Sequence, residues 1–125
     1  TANALVGNLA YLLTPAARGS AKVTERATNT GQFIWADDNT INGYAAHSTS
    51  LLPSNLTKGS GTALSSAIFG NWSDLIIAMW GGLDINVDPY TLSSSGGVRI
   101  VALQEVDVKL RHAESFVKCT DIVTT

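Results

Sequence analysis

The sequence predicts an α+β fold, a mixed or antiparallel sheet with a few flanking helices. Three observations lead there. The stretch EVDVKLR, residues 105–111, alternates charged and apolar side chains without an error. Leu83, Ile85 and Val87 alternate in the same way with Asp84, Asn86 and Asp88. One short segment, opened by Thr14 and Pro15, carries a helix-start signature instead. Successive side chains of a strand point to opposite faces, so a period of two means strand, and strand dominates.

In chain order, residues 4–13 are apolar but interrupted by Gly7 and Asn8, and the part from Leu9 to Leu13 reads as a strand ending at Thr14. Thr14 is placed to cap a helix, Pro15 suits its first position, and residues 16–27 hold good helix formers with Val23 and Ala27 on one face. From 29 to 61, Asn, Thr, Ser and Gly dominate with Pro53 inside, so loop is expected, with short extended pieces at 33–35 and 44–47. The apolar runs 67–70 and 75–80, separated by NWSD and bounded by Gly81 and Gly82, read as a buried strand pair with a tight connection. Residues 83–87 form a half-buried strand that Pro89 ends, and 90–97, YTLSSSGG, is a loop.

Residues 98–118 are the longest extended stretch. The face assignment slips around 103–105, where a β-bulge would keep the apolar side inward. Beyond the slip, Val106, Val108 and Leu110 share one face, expected to be core. Glu105, Asp107, Lys109 and Arg111 share the other, two acids followed by two bases. That face is dipolar, so docking on it has a direction. There is no internal repeat.

The 125 residues fit one domain. Charged residues make up 14% of the chain against about 25% in a typical soluble domain. Ser, Thr and Asn must supply the polar surface, and such a surface costs less to desolvate against other protein. The net charge of −2 has the wrong sign for a dedicated nucleic-acid binder, which must neutralise phosphates. The run LIIAMWGGL, 75–83, is too short to span a bilayer, so no membrane partner is expected. The chain opens TANALVGNLA without an initiator Met, and Met79 is its one methionine, which suggests a fragment or a processed product.

A search for chemistry finds nothing that converges. His47 and His112 sit in no metal-ligand spacing and read as surface or interface residues. Cys119, the single cysteine, allows no internal disulfide and reads as a buried, inert thiol. Asp37 and Asp38 beside Asn39 suggest turn chemistry, and Asp84 and Asp88 the wet face of a strand. TKGSGT, 57–62, lacks the order of a phosphate loop and reads as a flexible turn. Asn55 and Asn71 begin glycosylation sequons, but nothing indicates a secretory route. No catalytic residue, metal site or cofactor is assigned, and a structural or binding protein is expected rather than an enzyme.

Taken together, Gly70, Asn71, Trp72 and Ser73, then Asp88, Pro89 and Tyr90, then Asp107, Val108, His112, Ala113, Phe116 and Val117 resemble, in order and spacing, the C-terminal part of tailed-bacteriophage major capsid proteins. These have the fold named after phage Hong Kong ninety-seven. Residues 43–59, GYAAHSTSLLPSNLTKG, resemble the strand and turn that precede that segment in the family, with Ala45 and Ala46 where proline and aliphatics are common. The resemblance covers about two thirds of the chain. It implies a structural subunit that self-assembles into an icosahedral head enclosing DNA, with no reaction catalysed. Residues 1–125 would be one domain, mostly the axial domain near the fivefold and sixfold axes plus the C-terminal strand. The N-terminal arm, long loop and spine helix would be absent.

The partners so implied are copies of the same chain in pentamers and hexamers, a scaffold, a maturation protease and a portal, with packaged DNA touched only weakly and nonspecifically. The location so implied is the virion, after assembly in the bacterial cytoplasm. The lysine–asparagine cross-link of some family members is not carried over, because no asparagine stands in 95–97. On this reading Glu105, Asp107, Lys109 and Arg111 orient a contact between neighbouring subunits. Two alternatives stand beside it: a β-rich module binding carbohydrate or protein through Trp35, Trp72 and Trp80, and a homodimer made by antiparallel self-pairing about Val108.

Overall fold

Thr14 ends the first strand and opens the helix. In a computed structural model, which describes residues 5–124 and so leaves Ala4 outside, the Thr14 hydroxyl accepts the Ala17 N–H at 3.2 Å and Pro15 takes the first helical position. The helix, α1 (Pro15–Val23), is shorter than residues 16–27 suggest by composition. Thr24 stops it. Its backbone is extended, and its N–H and its hydroxyl both return to the Ser20 carbonyl, at 3.0 and 2.8 Å. A β-branched residue with its own hydrogen-bonding group gives the backbone an alternative to another helical turn.

The strands among the described residues are β1 (Leu9–Leu13), β2 (Thr40–Ile41), β3 (Tyr44–Ser48), β4 (Leu56–Lys58), β5 (Gly61–Asn71), β6 (Leu75–Asp88), β7 (Arg99–Leu110) and β8 (Phe116–Ile122). Contacts divide the chain into two compact units, Thr1–Asp74 with His112–Thr125, and Leu75–Arg111.

The first unit is a six-stranded mixed sheet in the order β2-β3-β1-β5, with β4 and β8 both paired to β5. Only β1 and β3 run parallel, and α1 supplies part of the long crossover that a parallel pair requires. One helix on a mixed sheet is the predicted α+β class. Registers set Tyr11 beside Ala46 and Phe69, and Leu13 beside Ser48 and Ala67, so these side chains share a face. Leu13, Ala46, Ala17 of α1 and Trp35 make the buried cluster on that face. Farther along it, Tyr11, Tyr44 and Phe69 cluster, with the Tyr11 and Phe69 ring centroids 4.3 Å apart and Tyr44 edge-on to Phe69.

Several expectations need correction. Residues 67–70 and 75–80 do not pair with each other: β5 bonds β1, β4 and β8, and β6 bonds β7. The NWSD connection explains why. Asn71 Oδ1 accepts the N–H groups of Asn8 and Ser73, at 2.9 and 3.2 Å, while its amide donates to Asp74 at 3.1 Å, so a 3-10 turn (Trp72–Asp74) redirects the chain instead of folding it back. Residues 98–118 are two strands, separated by another 3-10 turn (Ala113–Ser115) in which the Ser115 hydroxyl donates to Asp74 at 2.9 Å. The strand β4 lies within the segment expected as loop, where the Gly59 and Ser60 turn of TKGSGT closes a β4–β5 hairpin.

The second unit is a two-stranded antiparallel hairpin, β6 with β7. Gly81 and Gly82 do not end β6. The register shifts between Trp80, opposite Glu105, and Asp84, opposite Leu103, so Gly81, Gly82 and Leu83 face the single Gln104. The slip expected near 103–105 is there, carried by the partner strand. Gly81 adopts φ +66°, a conformation that glycine accepts without strain.

Candidate assembly interface

Residues directly opposite in an antiparallel pair point to the same face, which fixes the two faces of the hairpin. On one lie Leu75 with Leu110, Ile77 with Val108, and Met79 with Val106. Counting on by twos along β7, Ala102 with Ile85 and Ile100 with Val87 continue that face past the bulge. Gln104 is its one polar member, and its amide donates to the Trp80 carbonyl at 3.2 Å. This apolar face was expected to be core, and it is not. Val106 and Val108 are each 51% exposed and Met79 69%. A two-stranded sheet supplies no layer to cover its own side chains, and none of the half-buried pattern expected for residues 83–87 is present.

The other face carries the predicted contact residues. Glu105 lies opposite Trp80, Asp107 opposite Ala78, and Lys109 opposite Ile76, while Arg111 falls just past the end of β7. All four are exposed, and among the described residues none makes an ion pair. The structure thus places three of them in one stripe on a strand, with Arg111 in line after it. Asp107 does something the sequence did not signal. Its carboxylate accepts the backbone N–H of Val108 at 2.9 Å. An N–H held by the neighbouring side chain is outside the ladder to β6, so Val108 turns its N–H and C=O to the outer edge of β7, and Val106 and Leu110 follow by the two-residue period.

At the far end of the hairpin, Asp88 organises the turn. It accepts the N–H groups of Tyr90 and Thr91, at 2.8 and 3.2 Å, and a short hydrogen bond from the Thr91 hydroxyl. The hydroxyl first, and then the two amides, hold its carboxyl below the ordinary value of 3.8. A depressed folded-state pKa stabilises the turn above the unfolded pKa, and the contribution is lost as pH falls through the folded value. Protection of the Tyr90 and Thr91 amides, taken relative to the intrinsic exchange rate at each pH, is therefore expected to hold from neutrality down to the ordinary carboxylate range and to be lost only below it. Asp88→Asn should abolish that acid step; an unchanged pH profile in the variant would remove the assignment.

The remaining candidates are scattered. His47 is exposed on β3, and His112 is exposed beside the 3-10 turn Ala113–Ser115. Cys119 is exposed, contrary to expectation, because β8 lies at the sheet margin. Its thiol donates to Asp121 at 3.1 Å, and Asp121 also pairs with Lys58 at 2.8 Å. The Lys58 hydrogen bond, followed by that of Cys119, lowers the Asp121 pKa. Asp38 accepts the Thr40 N–H and hydroxyl, which is the turn chemistry expected of it. Asn71 is 8% exposed and occupied by the turn it caps. Among the described residues no three His, Cys, Asp or Glu side chains converge to hold a metal ion, and no helix is long and apolar enough to cross a membrane.

Trp35 is buried at 3%, so its ring is closed to a ligand; Trp72 is half-buried with its indole donating to the Ala10 carbonyl at 3.1 Å, and Trp80 belongs to the other unit. A cleft of about 420 Å³ between α1 and the sheet is lined mainly by apolar groups such as Leu13, Ala21, Ile34 and Ile122.

Comparison with known proteins fits this arrangement of exposed strands without convergent chemistry. The sequence profile described as the phage capsid family matches residues 4–121. A major capsid protein of Halomonas phage phiHAP-1 is 32% identical over 115 residues, covering 92% of this chain and 17% of that protein. Among solved structures, a chain from the capsid of an empty GTA particle superposes with a TM-score of 0.62 at 18% identity, over 93% of this chain and 37% of that one. The chain therefore spans well under half the length of either relative.

Proposed function

Because the chain belongs to the phage capsid family, we propose that it serves in a major capsid subunit, a structural protein that self-assembles into an icosahedral head around phage DNA. The family match over residues 4–121 carries the reading. The geometry agrees with it. A hairpin whose apolar side chains are exposed and whose two edges are unpaired among the described residues is a surface for other polypeptide, and a chain with 14% charged residues desolvates cheaply against it. The subunit catalyses no reaction; its work is association with copies of itself in pentamers and hexamers.

In this reading residues 1–125 are mostly axial-domain material plus the C-terminal strand. The stripe Glu105, Asp107, Lys109 and Arg111 lies at a subunit boundary, where exposed pairs worth about 0.2–1 kcal/mol each fix direction and register more than affinity. A scaffold, a maturation protease and a portal act with the subunit, which assembles in the bacterial cytoplasm and ends in the virion. The net charge of −2 suits a shell that encloses DNA and touches it weakly. Electron microscopy of the complete reading frame, expressed with its neighbouring genes, tests the proposal. Closed shells are expected; folded protein with neither shells nor rings under those conditions would overturn it.

A further inference from the structure

We propose that the outer edge of β7 pairs antiparallel with the same edge of a second copy, across a two-fold axis through Val108. The sheet that contains β7 has two strands, so this edge is free among the described residues. A lone hairpin is marginal in water; pairing two of them makes a four-stranded sheet with one continuous apolar face. The backbone is set for it. Val108 N–H points outward, as shown by its bond to Asp107, so Val108 would face its own copy as a hydrogen-bonded pair, and Val106 would face Leu110 in the same way on either side.

The side chains fit the same axis and no neighbouring one. Centred on Val108, Asp107 meets the copy's Lys109 and Glu105 meets its Arg111, each contact occurring twice. Moving the axis by one residue, to Asp107, sets Asp107 against itself and Glu105 against Lys109; moving it to Lys109 sets Lys109 against itself. Self-complementarity about one residue is what an isologous contact demands, whereas a ring contact between different surfaces does not require it. Asp107 also guards the edge. Its carboxylate occupies the Val108 N–H in the free chain, and only a partner that brings a cation to Asp107 releases that donor, so indiscriminate strands are disfavoured.

The inference deepens the capsid reading and names a consequence within it: a two-fold contact cannot close a ring of five or six, so β7 would join subunits of different rings. In the complete reading frame, Asp107→Lys and Lys109→Asp each place like charges opposite one another. Each single variant is expected to leave rings intact and to lower the yield of closed shells at least tenfold. The double variant, which restores complementarity with the signs exchanged, is expected to recover it. Single variants that assemble normally, or a double variant no better than the singles, would overturn the proposal.

A second readout does not depend on shells. Val108→Cys in a Cys119→Ser background is expected to form a disulfide-linked dimer on mild oxidation, because Cα atoms of a hydrogen-bonded pair lie about 5.5 Å apart, within disulfide reach. Val101→Cys, far from the axis, should not. Efficient linkage through position 108 without shells would support the pairing and count against the capsid reading. Shells with no such linkage, or linkage equal at both positions, would sink the pairing alone.

Discussion

Trp35→Ala is expected to lower the stability of the six-stranded unit by about 3–5 kcal/mol, the usual cost of removing a buried large aromatic. The indole is 3% exposed and packs with Leu13, Ala17 and Ala46, the centre of a small buried cluster. It also holds an otherwise irregular segment. Its backbone N–H donates to the Ala21 carbonyl at 3.0 Å, its Nε1 donates to Asn39 at 3.3 Å, and the Arg18 guanidinium sits 5.1 Å from the ring centroid. Domains of this size have about 5–15 kcal/mol in total, so the variant should lose a large part of its margin. Thermal denaturation followed by near-ultraviolet circular dichroism would show it. Trp35→Phe keeps most of the apolar volume and loses the Asn39 bond, so a cost of about 1–2 kcal/mol is expected. An alanine variant within about 1 kcal/mol of the parent would mean that the cluster does not hold the fold.

The second large effect is expected at Gly70, in β5 opposite Phe116 of β8. A Cβ built there would overlap the Phe116 ring and stand 2.7 Å from the Ser115 carbonyl oxygen. A side-chain tip can swing away, but a backbone carbonyl in a 3-10 turn cannot, and the ring is itself fixed edge-on to Trp72 with centroids 5.6 Å apart. Gly70→Ala should therefore cost about 3 kcal/mol or more, at the upper end of overpacking, and should free β8 first. Hydrogen exchange would then accelerate in residues 116–122 before it does in β1. Equal protection of β8 in parent and variant would refute the account.

Elements that depend on neighbours in sequence were legible. Thr14, Pro15 and the alternation of residues 105–110 each act within a few positions, and β1, the start of α1 and β7 appear where those signals put them. What failed was coverage. Alternation says which side chains share a face and nothing about what lies on it: the pattern suggests core for Val106, Val108 and Leu110, and they are exposed. The same holds for Ile76, Ile77 and Met79, whose apolar run suggested burial on both faces. The break between β7 and β8 was hidden because its cause is distant: Ser115 is held by Asp74, 41 residues earlier in the chain. Of the candidate contact, the charged stripe was visible as a pattern. The Asp107 bond to Val108, which says which way the edge points, is a conformational fact that no composition signals.

The position of the hairpin within the chain has a kinetic consequence. The six-stranded sheet is discontinuous, with β5 and β8 on either side of Leu75–Arg111. Pairing β8 to β5 joins Gly70 to Phe116 and Ser65 to Ile122, separations that make loop closure slow in an open chain. Hairpins form in about 1–10 μs, and this one sets Leu75 directly opposite Leu110. Once it has zipped, Phe116 is only a few residues of free chain from Asn71, and a distant search becomes a local one. The segment whose side chains contribute least to the buried core would thus set the pace at which the core closes, and the bulge at Gly81 would bear on folding rate more than on final stability.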